Sequence, residues 1–156
     1  MAAAPPRPAP APLQRRDAVA LWTLDRLCFP VEDAFSLGTF RRLLQDGRQL
    51  GFRFDEPRAP SPLAFIIALR EGAAADIVTL DVHPEHRRRG LGRALLRHLH
   101  AVLRSAATRE VTLQVAEDNG GAQRLYAAEG YAAVGVARGY YGGSRDAVLM
   151  RLELDR

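Results

Sequence analysis

Apolar side chains recur three and four residues apart in four stretches of the chain, the spacing that places them on one face of an α-helix. The first stretch begins at Asp17 and stops before Pro30, and the second begins at Ser36, a residue suited to an N-cap, and runs to Gly47. The third covers residues 90–104, and the fourth covers residues 120–129. The pattern therefore predicts four helices.

Shorter apolar stretches between these helices are typical of β-strands. The predicted strands cover residues 50–54, 63–69, 77–82, 111–115, 131–137 and 147–154. A hairpin connection, REGAAA, joins the second and third strands, whereas a helix separates the third strand from the fourth. This order predicts a single α/β (α+β) domain, with a mixed, mostly antiparallel sheet flanked by helices.

Composition sets the class of protein. The chain has 156 residues, 47% of them hydrophobic, and one cysteine, which excludes a disulfide scaffold and favours a reducing, cytoplasmic setting. Residues 1–12 are almost entirely Pro and Ala and predict a flexible tail before a domain at 13–156. No apolar run reaches the roughly 20 residues of a membrane-spanning helix. All 22 basic residues are arginine, so the net charge of +4 points only weakly to anionic partners.

The segment VHPEHRRRGLGRALL, residues 82–96, takes the chain from a strand through a glycine turn into a helix. Unpaired N–H groups and the positive dipole end make such a helix start a binding site for anions, and glycines let a phosphate approach the backbone. Alternatively, Gly90 and Gly92 only relieve crowding at the corner. Neither a P-loop nor a dinucleotide-binding fingerprint fits the segment.

Within this segment, RRRGLG resembles the [Q/R]xxGx[G/A] loop that grips the pyrophosphate of acetyl-coenzyme A in the GNAT superfamily of N-acetyltransferases. The strand before it and LQVAEDNGGAQRLYAAEGY after it follow in that family's order, and the resemblance extends over residues 16–154. It is closest to the branch that acetylates protein N-termini, the ribosomal-protein alanine N-acetyltransferases, through Cys28-Phe29-Pro30, the LQVxxxN-to-LY spacing and Tyr140-Tyr141.

The resemblance implies an enzyme that transfers acetyl from acetyl-coenzyme A directly to an amine, most simply the N-terminal α-amine of a protein. It implies pyrophosphate contacts by Arg87, Arg88, Arg89, Gly90, Leu91, Gly92 and Arg93. Pantetheine contacts are implied for Asn119 and, mostly through the main chain, for Leu80, Asp81 and Val82. Plain helix capping by Asn119 and ordinary strand pairing are the alternatives.

Two further roles follow from the resemblance. Tyr126 corresponds to the residue that donates a proton to the leaving sulfur, although a lone aromatic on an amphipathic helix is more often a core residue. Tyr140 and Tyr141 correspond to acceptor-binding residues.

The general base is where the sequence departs from the family. Gln114 stands where the ribosomal-protein enzymes have Glu, and an amide does not accept a proton as a base. Asp76 is a weak alternative base, at a place where histone-type enzymes carry Glu, and Glu117 is a weaker one. A solvated turn residue is an equal interpretation of Asp76.

Other classes of function receive less support from the sequence. The four histidines have no cysteine partner and no ligand spacing, so no metal site is predicted. Residues 86–109 hold seven Arg and no acid, but they lack the aromatics of a nucleic-acid platform. A small-molecule amine or lysine acceptor, and a GNAT fold that only senses coenzyme A, remain as alternatives to a protein N-terminus.

Overall fold

The computed structural model describes residues 7–56, 58, 62–143 and 145–155. The α-helices are α1 (Ala18–Cys28), α2 (Leu37–Gln45), α3 (Leu91–Ser105) and α4 (Gly120–Ala128). The strands are β1 (Ala11–Pro12), β2 (Gln49–Phe54), β3 (Ala64–Glu71), β4 (Ala74–Val82), β5 (Glu110–Ala116), β6 (Ala132–Tyr141) and β7 (Arg145–Glu153). No helix in the described ranges has the length and apolar character needed to span a bilayer.

The strands form one sheet in the order β1-β2-β3-β4-β5-β7-β6. Every neighbouring pair is antiparallel except β4 and β5, which are parallel and connected through α3. This arrangement confirms the predicted α/β fold class, with its mostly antiparallel sheet and its strand–helix–strand unit.

Helices cover both faces of the sheet. On one face, leucines of α3 such as Leu95 and Leu99 pack with Ile66 and Leu113 of the sheet, and Tyr126 of α4 joins this cluster. On the other face, α1 and α2 pack against Phe65 and Ile67 of β3. Apolar residues at helical spacing therefore bury their stripes against the two sides of one sheet.

The N-terminal boundary differs from the predicted one. Ala11 and Pro12 pair with Phe52 and Arg53 of β2, and Leu13 is buried under α1 and α2. Pro tolerates this place because β1 is an edge strand with few ladder bonds to supply. Residues 1–6 of the predicted tail lie outside the described residues.

Candidate functional site

A gap opens in the middle of the sheet between β4 and β5. The two parallel strands pair only from Ala74–Glu110 to Ile77–Leu113. Beyond Ile77, β4 continues to Val82 alongside β3, with a shift in register between Ile67 and Ala68 that leaves Val78 as an extra residue. Where the two parallel strands separate, main-chain groups on both sides of the gap are left without ladder partners.

The register between β3 and β4 determines which main-chain groups face this gap. The N–H of His83 donates to the carbonyl of Leu63, and hydrogen-bonded pairs alternate along an antiparallel ladder, so Asp81 directs its main chain to Phe65 of β3. Leu80 and Val82 therefore direct their N–H and C=O groups toward the gap. The main-chain contact predicted for Asp81 disagrees with this register, because its peptide groups belong to the β3 ladder.

The glycine turn lies where the gap meets the start of α3. Gly90 is the N-cap residue, in the left-handed region with φ of 77°, and Arg88 also has a positive φ of 64°. A Cβ on Gly92 would stand 3.2 Å from Leu125 of α4 and 3.7 Å from Val82. Gly92 thus permits close packing, as the alternative interpretation held, whereas Gly90 supplies backbone conformation at a helix N-terminus.

The arginines of the turn differ in their surroundings. Arg87 donates from Nε to the carbonyl of Val82 at 3.2 Å, and Arg89 lies 3.0 Å from Nδ1 of His86. Arg93 instead pairs with Glu129 of α4, its Nε 3.0 Å from the carboxylate. Arg87, Arg88 and Arg89 therefore place positive charge at the start of α3, while the charge of Arg93 is partly neutralised.

Tyr126 lies on α4 in the apolar cluster beneath the gap, with 7% of its surface exposed. Its ring meets that of Tyr131 edge to face, with centroids 5.7 Å apart. Burial, together with the charges of Asp81 and Tyr141, raises the pKa of Tyr126 well above its usual value. The hydroxyl therefore stays protonated, and it is better suited to donate a hydrogen bond than to lose its proton during the reaction.

Asn119 is the N-cap of α4, where its Oδ1 accepts from the N–H of Ala122 at 3.1 Å. This bond is the capping role that the sequence offered as the alternative to a pantetheine contact. A contact with the cofactor through the side-chain amide stays a prediction.

Asp76 and Gln114 lie together at the point where the gap begins. The hydroxyl of Thr112 donates to Asp76 Oδ1 at 2.8 Å, and the Gln114 amide nitrogen is 3.4 Å from the same oxygen. Register with Leu69 of β3 and alternation along β5 place both side chains on the face of the sheet that carries α1 and α2. Two of the three positions considered for the base, Asp76 and Gln114, are therefore neighbours.

A buried acidic cluster beside the gap was not predicted from the sequence. Asp25 of α1 and Asp81 are each 1% exposed; Asp25 accepts from the N–H of Phe35 at 2.8 Å, and Thr79 donates to Asp81 at 2.5 Å. Burial raises the pKa of both carboxyls, that of Asp81 most. The alternation of Thr79 and Asp81 in an apolar strand was the signal available in the sequence.

Cys28 completes this cluster at the end of α1. Its Sγ lies 3.3 Å from the carbonyl of Val82, to which the thiol donates. Burial, followed by the negative charge of Asp81, raises the pKa of the Cys28 thiol to about 12. The thiol therefore stays protonated and is a poor nucleophile.

The end of the β6–β7 hairpin approaches the same side of the gap. Tyr140 is exposed and Tyr141 half-buried, their rings 5.0 Å apart, and the Arg145 guanidinium lies 5.1 Å from the Tyr141 ring. Arg145 also pairs with Asp33, in the segment between α1 and α2, and with Asp118 at 2.9 Å, just before α4. Ion pairs unforeseen from the sequence thus hold three loops around the predicted acceptor residues.

The histidines are placed in two different settings. His98 packs edge to face on Phe52, and His100 is buried against the Tyr131 hydroxyl, so burial lowers the pKa of His100 to about 4. His83 and His86 lie with Glu85 within 4.8 Å of one another at their ligating atoms.

His83, Glu85 and His86 nevertheless make a poor metal site. Nδ1 of His83 accepts from the N–H of Glu85, and Nδ1 of His86 faces the Arg89 guanidinium, a donor only. In neutral imidazoles the proton then sits on Nε2, so neither ring offers a free lone pair. The neighbouring arginines add positive charge that repels a metal cation.

Comparison with known proteins identifies the family. The model of the acetyltransferase (GNAT) family matches residues 18–131. The chain belongs to this family. Among curated proteins, the ribosomal protein bS18-alanine N-acetyltransferase of Escherichia coli strain K12 is 35% identical over 83 residues, which are 51% of this chain and 56% of that protein. The matched region thus spans about half the length of that relative.

Solved GNAT structures superpose over nearly the whole chain. The ribosomal-protein-S18-alanine N-acetyltransferase from Escherichia coli has a TM-score of 0.85 and 28% identity, with 95% of this chain and 94% of that chain covered. Arabidopsis thaliana NAA60 in complex with a bisubstrate analogue has a TM-score of 0.81 and 23% identity, with 93% and 97% covered. The fold is therefore that of the GNAT family over nearly the whole chain.

Proposed function

We propose that this protein transfers the acetyl group of acetyl-coenzyme A to the N-terminal α-amine of a protein or peptide. The observation that carries the proposal is the gap after Ile77 and Leu113, which leads directly to the N-terminus of α3. A gap lined by main-chain groups takes an extended, amide-containing arm as a strand would, and a helix N-terminus takes a diphosphate. Acetyl-coenzyme A carries both groups in one molecule.

The two parts of the site have separate tasks in this proposal. Gly90 and Leu91, at the start of α3, offer main-chain N–H groups to the diphosphate, and Arg87, Arg88 and Arg89 supply positive charge. The pantetheine arm lies along Leu80 and Val82, whose N–H groups face the gap and polarise the acetyl carbonyl. Asn119, at the opposite edge beside α4, is the proposed side-chain contact.

The reaction is a direct transfer. The amine nitrogen attacks the thioester carbonyl, an amide bond forms, and the carbon–sulfur bond breaks. The developing thiolate takes a hydrogen bond from Tyr126, whose raised pKa keeps its hydroxyl protonated. The proton lost by the amine leaves on the side of Asp76 and Gln114, where Asp76 is the carboxylate.

An α-amine is the acceptor that best fits this arrangement. Its pKa of about 7.8 leaves roughly one molecule in ten neutral at pH 7, so it requires little help from a base. Asp76, with Gln114 in place of a second carboxylate, offers such modest help. Similarity to the bS18-alanine N-acetyltransferase suggests a ribosomal protein as the acceptor, in the reducing cytoplasm that a single cysteine predicts.

The test is acetyl transfer to a matched panel of acceptors. The purified protein is incubated with acetyl-coenzyme A and peptides that begin with free Ala, Ser or Met, the same peptides with a blocked N-terminus and an internal Lys, and small amines. Mass spectrometry locates the acetyl group. Transfer to free N-termini supports the proposal, whereas transfer only to lysine or small amines contradicts the acceptor assignment. Absence of coenzyme A binding contradicts the whole proposal.

A further inference from the structure

Residues 7–13 lie along the edge of the sheet, and Arg7 contacts the glycine turn at the start of α3. Pairing of β1 with β2 and burial of Leu13 fix the segment, and the N–H of Leu13 donates to Gly51 at 2.9 Å. Four residues before β1, Arg7 reaches the turn. Its guanidinium donates to the carbonyl of Arg89 at 2.7 Å and to that of Gly90 at 3.3 Å.

These two carbonyls belong to the peptide units whose N–H groups are those of Gly90 and Leu91. A trans peptide unit is planar, and its C=O and N–H point in opposite directions. No cis peptide bond occurs in the described part of the chain. A guanidinium that holds both carbonyls on one side therefore holds both N–H groups on the other, where the α3 N-terminus offers them to an anion.

The backbone conformation of the glycine turn is unfavourable and is stabilised by the bonds from Arg7. Arg88 and Gly90 both have positive φ, a conformation that an L-residue such as Arg88 rarely adopts. Gly90 is exposed, with no heavy atom within 4 Å of where its Cβ would be, so side-chain packing does not hold it. Its carbonyl accepts the first helical bond from Ala94 at 3.0 Å, and Arg7 is its second donor.

The Arg7 guanidinium also packs against a buried aromatic ring. The Arg7 side chain lies over the ring of Phe54, with Cζ 5.6 Å from the centroid, and Phe54 is buried in β2. A planar fork with several parallel N–H groups can bridge two carbonyls at once, whereas an ammonium group is a single point donor.

We propose that Arg7 is a positioning residue for diphosphate recognition, which acts through the backbone of the glycine turn. This inference rests on the proposed binding of acetyl-coenzyme A. It assigns a role to the Pro- and Ala-rich segment that precedes the domain: the segment carries one arginine to the outer side of the loop that meets the diphosphate.

The test compares three variants of the full chain with two ligands. Calorimetry measures the dissociation constants of coenzyme A and of pantetheine, which lacks the phosphates, for the wild type, Arg7→Ala and Arg7→Lys. Arg15→Ala is the matched control, because Arg15 is an exposed arginine in the same N-terminal region. Loss of the two bonds predicts roughly three- to tenfold weaker binding of coenzyme A to Arg7→Ala, with pantetheine binding and the control unchanged.

Arg7→Lys separates positioning from simple charge. The lysine keeps the charge but lacks the fork, so we expect its binding of coenzyme A to stay weakened. Amide hydrogen exchange at Gly90 and Leu91 in the free protein should become faster in both Arg7 variants. In turnover, KM for acetyl-coenzyme A should rise while kcat at saturation stays that of the wild type.

The outcomes that overturn the inference are distinct from those that overturn the proposed function. Full coenzyme A affinity in Arg7→Ala, full rescue by lysine, or an equal loss for pantetheine contradicts the positioning role while leaving acetyl transfer intact. If the wild type binds no coenzyme A, the proposed function is wrong and the role of Arg7 is wrong with it.

Discussion

The carboxyl groups of Asp25 on α1 and Asp81 on β4 are both buried, and each one affects the pKa of the other. Asp81 Oδ2 is buried and meets no N–H or O–H donor in the described part of the chain, so we expect the two carboxyls to share one proton. Asp25 also receives the N–H of Phe35, which leads into α2. Asp25 therefore lies between the strand beside the gap and the segment that leads into α2.

This pair predicts a stability that falls as the pH rises. The folded-state pKa values are raised, so the folded protein keeps a proton that the unfolded chain releases near pH 4. The contribution is full below that pH and is lost as the pH rises through the folded pKa, with a slope of at most about 1.4 kcal/mol per pH unit for one proton. The positive charge of Arg87 opposes the rise in the Asp81 pKa, and Thr79 does so by donating to the carboxylate.

Asp81→Asn tests this prediction by chemical denaturation from pH 4 to pH 8. The amide keeps an acceptor for Thr79 and supplies a permanent donor to Asp25, so the downward slope should become flatter than in the wild type. Asp46→Asn is the control: bonds from Arg48 lower the Asp46 pKa to about 2, so its stabilisation is lost only on the acid side. Identical slopes for wild type and Asp81→Asn would rule out the shared proton.

Gly90→Val should strongly weaken the binding of coenzyme A. Nothing crowds the new side chain within the protein, but it strains a φ of 77° and occupies the space beside the α3 N-terminus. Loss of charge-assisted bonds from the turn predicts roughly 100-fold weaker binding. Gly72→Val is a matched control, since Gly72 has a φ of 60° and an equally open surrounding in the β3–β4 turn. If both variants lost the same affinity for coenzyme A, the effect of Gly90→Val would come from backbone strain alone.

Tyr126→Phe should lower kcat on the order of 100-fold while KM for acetyl-coenzyme A and the unfolding free energy change little. The ring stays against Tyr131, and only the donor to the leaving sulfur is lost. Tyr131→Phe is the contrasting variant: it removes the 2.8 Å bond to His100, which should cost about 1 kcal/mol of stability and leave kcat intact. A normal kcat in Tyr126→Phe would make Tyr126 a core residue.

The sequence predicts the elements well because their signals are local. Ser36 caps α2 as expected, accepting from Thr39, and Gly130, with φ of 100°, follows the end of α4. The gap was inferred only from the family resemblance, because the end of pairing after Ile77 depends on register between distant strands. Arg7 gave no signal, since a Pro- and Ala-rich composition says nothing about a contact 83 residues away.

The sequence predicted the candidate residues of the site better than it predicted the groups that each of them contacts. The family resemblance marked Tyr126, but its raised pKa follows from its burial and then from Asp81 and Tyr141, which come from two other strands. From the sequence, Asp76 was either a weak candidate base or a solvated turn residue. Its meeting with Gln114 follows from the parallel register of β4 and β5, which a sequence pattern does not specify.

The contact between Asp76 and Gln114 predicts how acceptor choice depends on the base. Because an α-amine is partly neutral near pH 7 whereas a lysine amine is almost fully protonated, a site with one modest carboxylate should strongly prefer α-amines. The rate should rise with pH through about 7.8. Gln114→Glu places a second carboxylate about where the amide nitrogen now lies, 3.4 Å from Asp76. Like charges this close raise the pKa of one carboxyl and make a stronger base, so activity near neutrality should be kept or increased.

Asp76→Asn is the complementary variant, and it should lower kcat while the affinity for acetyl-coenzyme A stays that of the wild type. The asparagine still accepts from the Thr112 hydroxyl, so the strand junction is preserved. Initial rates with a free N-terminal peptide and with a blocked peptide carrying an internal lysine, measured from pH 6 to pH 9, distinguish the possibilities. Fast acetylation of the internal lysine at pH 7 would contradict the α-amine assignment, because it requires a strong base that Asp76 and Gln114 do not supply. An unchanged kcat in Asp76→Asn would instead show that the α-amine needs no base from this pair, since its neutral fraction alone would then sustain the reaction.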